Sequence, residues 1–202
     1  MPLLRKSLIW AAVGVVLATP LIAAALSPLL QWRQPVYIAA GFAGIVGMAL
    51  LLIQPLLIAG LLPGLNPLQE RRIHRWTGTA LVLSVILHVA GLWLTSPPDV
   101  VDALLFNSPT PFTPWGVIAM WALFATATLA FLRRRLRLRW RTWRIAHTAL
   151  ALVIVIGSVV HAILITGTME TVSKITLCTL AIALTLRVAF DPNTLKRLRR
   201  AR

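Results

Sequence analysis

The sequence predicts an all-α polytopic membrane protein, a six-transmembrane-helix bundle with both termini cytoplasmic. Three observations carry that prediction. Hydrophobic residues make up 58% of the 202-residue chain and charged residues only 12%, with a mean hydropathy of +0.84. That leaves too little polar surface to cover a water-soluble globule. The apolar residues fall in six continuous runs, each near the roughly 20 residues a helix needs to cross a bilayer. They are unbroken rather than alternating, which excludes barrel strands. Finally, the net charge of +15 is gathered in alternate connections, the mark of cytoplasmic loops.

The spans read as 7–26, 36–62, 76–94, 115–132, 143–165 and 172–190, within one domain covering residues 1–202. The first follows Arg5-Lys6 and ends in small residues, as a signal peptide does. Its apolar stretch exceeds the usual signal core of roughly 7–15 residues, so it is expected to be retained as the first helix. In the second run Pro55 is expected to kink the helix, with a neighbouring helix or water satisfying the freed carbonyl. Gln54 beside it carries no further reading. The third run begins at Trp76. Residues 95–114, rich in Pro, Ser, Asp and Asn, read as an outer loop. Trp121 lies inside the fourth run and is expected to face neighbouring helices, whereas Trp32, Trp76, Trp93, Trp115, Trp140 and Trp143 mark run ends at the headgroup level. Arg133 to Arg144 form a basic segment suited to anionic lipid or an acidic partner. In the sixth run Lys174 and Arg187 sit near the ends, where long side chains snorkel.

Six spans place Arg5, Lys6, Arg71, Arg72, Arg75, Arg133, Arg134, Arg135, Arg137, Arg139, Arg141, Arg144, Lys196, Arg197, Arg199, Arg200 and Arg202 on one side. The opposite side keeps Arg33 and Lys174 with Asp99, Asp102 and Glu170. A nucleic-acid binder would spread such charge over a solvated face; here it comes in bursts between apolar runs. The partner implied is the lipid bilayer, not nucleic acid. The chain contains no G-x-G-x-x-G cradle, P-loop, H-E-x-x-H or C-x-x-C-H, and its single Cys178 excludes an intrachain disulfide.

The chemistry rests on four histidines, His74, His88, His147 and His161. Each second histidine follows its first by 14 residues. Fourteen helical steps fall about 40° short of four full turns, so both members of a pair share a helix face, roughly 21 Å apart along the axis. The third and fifth spans run in the same direction. His74 therefore shares an inner level with His147, and His88 an outer level with His161. Two facing imidazoles at each of two levels suit two bis-His hemes stacked across the bilayer. A His-lined path for Zn, Cu or Ni is the alternative, although the nearest carboxylates, Glu70, Asp99, Asp102 and Glu170, are expected in loops. An inert scaffold is the remaining alternative. Midway between the levels stand Leu81 and Ile154, both aliphatic, so Trp121 is the one aromatic candidate for a stepping stone.

The segment Arg71-Arg72-Ile73-His74-Arg75-Trp76-Thr77-Gly78 followed by His88, and Arg139-Trp140 leading to His147 and His161, resemble the third and fifth helices of the ferric-reductase-like transmembrane family. That family includes ferric reductases, NADPH oxidases and the heme subunit of periplasmic methionine sulfoxide reductase. The resemblance spans nearly the whole chain. It implies two non-covalent heme b groups, with His74 and His147 ligating the inner iron and His88 and His161 the outer. Arg75 and Arg144, with Arg141, are placed to meet the inner heme's propionates; Lys174 and Arg33, with Thr95 or Ser96, are the outer counterparts. The implied function is electron transfer from a cytoplasmic flavoprotein reductase or membrane quinol to a ferric chelate, oxygen or a periplasmic protein, across a bacterial inner membrane. The chain stops about a dozen residues past Phe190, where ferric reductases append a flavin- and nicotinamide-binding module, so FAD or FMN is expected only through a partner. Its short length is similar to that of the methionine sulfoxide reductase heme subunit, which makes delivery of electrons to a periplasmic reductase the alternative role. That branch tends to lack a histidine at the position of His74.

Overall fold

The computed structural model describes residues 2–133 and 135–191. Arg134, Lys196, Arg197, Arg199, Arg200 and Arg202, counted above among the inner-side cations, lie outside the described residues. The described residues form seven α-helices: α1 (Pro2–Ala25), α2 (Pro35–Ala59), α3 (Pro67–Thr95), α4 (Pro97–Leu104), α5 (Thr113–Leu132), α6 (Trp140–Leu164) and α7 (Thr171–Phe190), with one 3-10 turn at Pro28–Leu30. All but α4 are long and apolar enough to cross a membrane. The chain is a multi-pass membrane protein.

Local chemistry sets the helix ends. Proline at the first turn starts α2, α3, α4 and α5, where its missing N–H costs nothing. Helix α2 ends on Gly60 in the left-handed region, φ 67°, the usual glycine stop. Helix α3 begins nine residues before the predicted Trp76 because Asn66 caps it. The Asn66 Oδ1 accepts from the Leu68 and Gln69 amides, at 3.1 and 2.9 Å, while Gln69 Oε1 accepts from the Asn66 amide at 2.9 Å. This reciprocal cap stabilises two polar, basic turns that hydropathy alone does not mark as helix. The segment read as an outer loop likewise holds α4, which buries Val100.

Helix α3 packs mainly on α2, and α6 mainly on α5; α7 joins the two hairpins by touching both α2 and α6, and α1 lies outside against α2 and α7. Leu52, Leu56 and Leu57 of α2 meet Leu81 of α3, Leu123 of α5, Ile154 and Val155 of α6, and Leu177, Cys178 and Ala181 of α7 in one apolar core. Leu81 and Ile154, the midpoint residues, thus lie within this core. Outward faces stay apolar: Leu83, Leu87, Phe131, Val172 and Phe190 are exposed, as lipid-facing positions should be.

Three expectations are corrected here. Trp121 does not face neighbouring helices: it is 57% exposed and meets Phe124 edge-on at 6.0 Å. Helix α5 turns Val117, Met120 and Leu123 inward instead, which leaves Trp121 on the outer face. Three of the four carboxylates are not in loops; only Glu170 stands in a connection, the one between α6 and α7. Glu70 is buried in the first turn of α3, Asp99 and Asp102 lie on α4, and Glu170 caps α7. Lys174 does not snorkel; it is buried and its Nζ donates to the Ile165 carbonyl at 2.9 Å, satisfying the backbone where α6 ends.

Candidate functional site

The four histidines lie on two helices, His74 and His88 on α3 and His147 and His161 on α6. Helices α3 and α6 make their extensive contacts within their own hairpins rather than with each other. Between them the His74 and His147 rings face across 6.3 Å, centre to centre, with their planes at 64°. A metal held between the two imidazoles by bonds of about 2 Å would need ring centres about 6 Å apart, so the spacing of the pair fits such a group. His88 and His161 are the other two, each held by a backbone carbonyl of the helix that precedes its own.

The outer pair is seated by a repeated device. His88 Nδ1 lies 2.7 Å from the Ala40 carbonyl of α2, and His161 Nδ1 lies 2.9 Å from the Phe112 carbonyl at the start of α5. A carbonyl only accepts, so each ring donates through Nδ1, and the tautomer this fixes leaves Nε2 bare. Four residues beyond each carbonyl stands a glycine. A Cβ on Gly44 would come within 3.0 Å of His88 Nδ1, and one on Gly116 within 2.6 Å of His161 Nδ1. Each helix therefore opens a notch through which an imidazole reaches the backbone of the previous turn.

The inner pair is held differently. His147 stacks on Trp143, one turn earlier, at 5.1 Å and 18°, and Trp143 stacks on Trp140 at 5.4 Å. The Arg133 guanidinium covers Trp143 from 4.3 Å, a cation over an aromatic face. His147 Nδ1 and Trp143 Nε1 are buried without a hydrogen-bond partner among the described residues. Such groups are rare enough in folded proteins to call for a missing acceptor. Across the pair, the terminal amide of Gln54 on α2 comes within 2.8 Å of His74 Nδ1. Gln54 is therefore more than a neighbour of Pro55.

The cationic candidates are less closely engaged. Arg75 is exposed and lines a shallow groove with Arg72, Trp76 and Thr79. Arg144 is half-buried one turn before His147, and Arg141 is exposed. Arg33 covers the Tyr37 ring at 5.1 Å. Thr95 donates to the Gly91 carbonyl and Ser96 to Asp99, so both hydroxyls already have local partners.

Pairing by helical spacing was visible in the sequence. The residues that seat the rings were not, because Ala40, Gly44, Gln54, Phe112 and Gly116 belong to other helices. The signal that could have found two of them is a glycine one turn after the residue whose carbonyl is used, repeated in the run preceding each histidine helix.

A family model described as "Ferric reductase like transmembrane component" matches residues 40–158, more than half of the chain. The match takes in His74, His88 and His147, and it ends three residues before His161. No curated protein and no solved structure matches the chain.

Proposed function

The chain belongs to the ferric reductase-like transmembrane family, and we propose on that footing that it is a di-heme b electron-transfer protein carrying electrons outward across a bacterial inner membrane. The observation that carries this reading is the His74–His147 pair, two imidazoles facing at 6.3 Å from helices of separate hairpins. Bound heme supplies one-electron chemistry at its iron, which no side chain here offers.

The residues divide the work. His74 and His147 would hold the inner heme and His88 and His161 the outer, each through Nε2. The Ala40 and Phe112 carbonyls fix the outer rings in the ligating tautomer, an arrangement that also raises ligand basicity. A heme carboxylate would give the buried Trp143 indole N–H an acceptor, and Arg75 and Arg144 would offset its charge. Leu81, Ile154 and the apolar core around them keep water out of the space between the tiers.

The basic connections make the α2–α3 and α5–α6 end the cytoplasmic one, with both termini on that side. The donor is then a cytoplasmic flavoprotein carrying FAD or FMN, or membrane quinol. The acceptor outside is a ferric chelate, oxygen or a periplasmic protein such as a methionine sulfoxide reductase. A membrane potential negative inside favours outward electron movement by about 2.3 kcal/mol per charge per 100 mV. A metal path fits less well: among the described residues no group of three or more His, Cys, Asp or Glu is placed to hold an ion.

The purified protein tests the reading. Dithionite reduction should give the sharp α-band of bis-His heme b, with two hemes per chain by pyridine hemochrome assay. A preparation made with heme supplied that shows no α-band contradicts it.

A further inference from the structure

Gln54 is the polar side chain deep in α2, a helix otherwise apolar past its first turns, where an amide needs partners to be tolerated. Among the described residues its terminal amide meets groups of α3: His74 Nδ1 at 2.8 Å, Thr77 Oγ1 at 2.9 Å, the Gly78 amide at 3.1 Å and the His74 carbonyl at 3.3 Å. Two orientations of the amide are possible. With nitrogen toward His74 it donates to Nδ1; with oxygen toward His74 it accepts the Nδ1 proton and its nitrogen donates to Thr77 Oγ1. The His74 carbonyl and the Gly78 amide stand four residues apart inside α3 and pair with each other along the helix, so neither calls on Gln54, and the choice falls to Thr77. Its hydroxyl hydrogen already serves its own helix, where Oγ1 lies 2.9 Å from the Ile73 carbonyl. That leaves Oγ1 a lone pair to accept from Gln54 and no proton to give.

We propose that Gln54 is the positioning residue of the inner site, accepting the Nδ1–H of His74 through its side-chain oxygen and turning Nε2 toward His147. This rests on the reading that His74 is a heme ligand. The device on the other hairpin is absent. Thr126 stands fourteen residues after Phe112 in α5, as Gln54 stands fourteen after Ala40 in α2. Its hydroxyl donates to the Ala122 carbonyl at 2.7 Å, and His147 Nδ1 has no partner among the described residues. The outer tier is thus anchored by two backbone carbonyls that no side-chain substitution removes. The inner tier is anchored by one replaceable side chain.

The test compares wild type, Gln54→Met and Gln54→Glu as purified holoproteins. Met keeps the length and removes the acceptor; Glu restores an acceptor at the same reach. Losing a partner of this kind costs about 10–100-fold in metal-centre affinity, so Gln54→Met should release inner heme at correspondingly lower dilution. The inner heme that remains should titrate at a higher midpoint potential, because a less basic imidazole stabilises ferric iron less. Its low-spin ferric EPR signal should move while the outer signal stays. Gln54→Glu should regain inner-heme retention, with a midpoint at or below wild type. A Gln54→Met protein that keeps both hemes with wild-type potentials and EPR overturns the proposal. If Gln54→Met cannot be recovered, a Gln54→Glu protein that loses inner heme as readily as an acceptor-free site does the same. A heme-free wild type sinks the two-heme reading itself, whereas unchanged variants of a heme-loaded wild type sink only the role of Gln54.

Discussion

His161 illustrates how a single residue's behaviour is set by atoms far away in sequence. Its ring reaches the Phe112 carbonyl only because residue 116 has no side chain; an added methyl would lie 2.6 Å from Nδ1 and 2.7 Å from Cε1. Gly116→Ala should therefore push the ring out of its notch, at the roughly 1–3 kcal/mol typical of overpacking. The expected result is loss of outer heme with the inner heme kept, read from hemes per chain and from the two potentiometric components. Gly44→Ala, with 3.0 Å to His88 Nδ1, should do the same more mildly. An unchanged outer component in Gly116→Ala would show that the notch does not matter. The imidazoles themselves were legible in the sequence, because helical periodicity alone puts residues fourteen apart on one face. Their anchors were not, because periodicity says nothing about which neighbouring helix a face meets.

Among the elements, the six long helices were read from hydropathy to within a few residues at most ends. The failures were at the polar margins, where a window of apolar residues has nothing to detect. The start of α3 depends on the Asn66–Gln69 cap, and α4 is too short for periodicity to show. The start of α7 is capped by Glu170, whose carboxylate accepts from the Val172 and Ser173 amides at 2.7 Å each. Those backbone amides, Ser173 first, hold its carboxyl below the ordinary value of 4.5. A group with its folded value depressed stabilises the fold above its unfolded value and ceases to do so as pH falls through the folded one. Glu170→Ala should thus lower the thermal midpoint at neutral pH, and the gap from wild type should shrink as pH drops below about 4.5. A gap that does not change with pH would contradict the capping role.

At the scale of the whole molecule, two hairpins, α2–α3 and α5–α6, each carry a histidine helix and a partner helix that seats its outer ring. Helix α7 ties the hairpins together, and their pairing sets His74 against His147. The charge pattern supported the span count, since dropping any span after the first would scatter the arginines over both sides. It did not give the outward orientation of Trp121, which depends on the face α5 turns inward. If the four imidazoles act as two couples, His74 with His147 and His88 with His161, heme content and redox titration of the four single His→Leu variants will show it. His74→Leu and His147→Leu should lose the same component and keep the other, while His88→Leu and His161→Leu should lose its complement. If His74→Leu and His147→Leu remove different components, or either leaves both hemes in place, the couples are wrong.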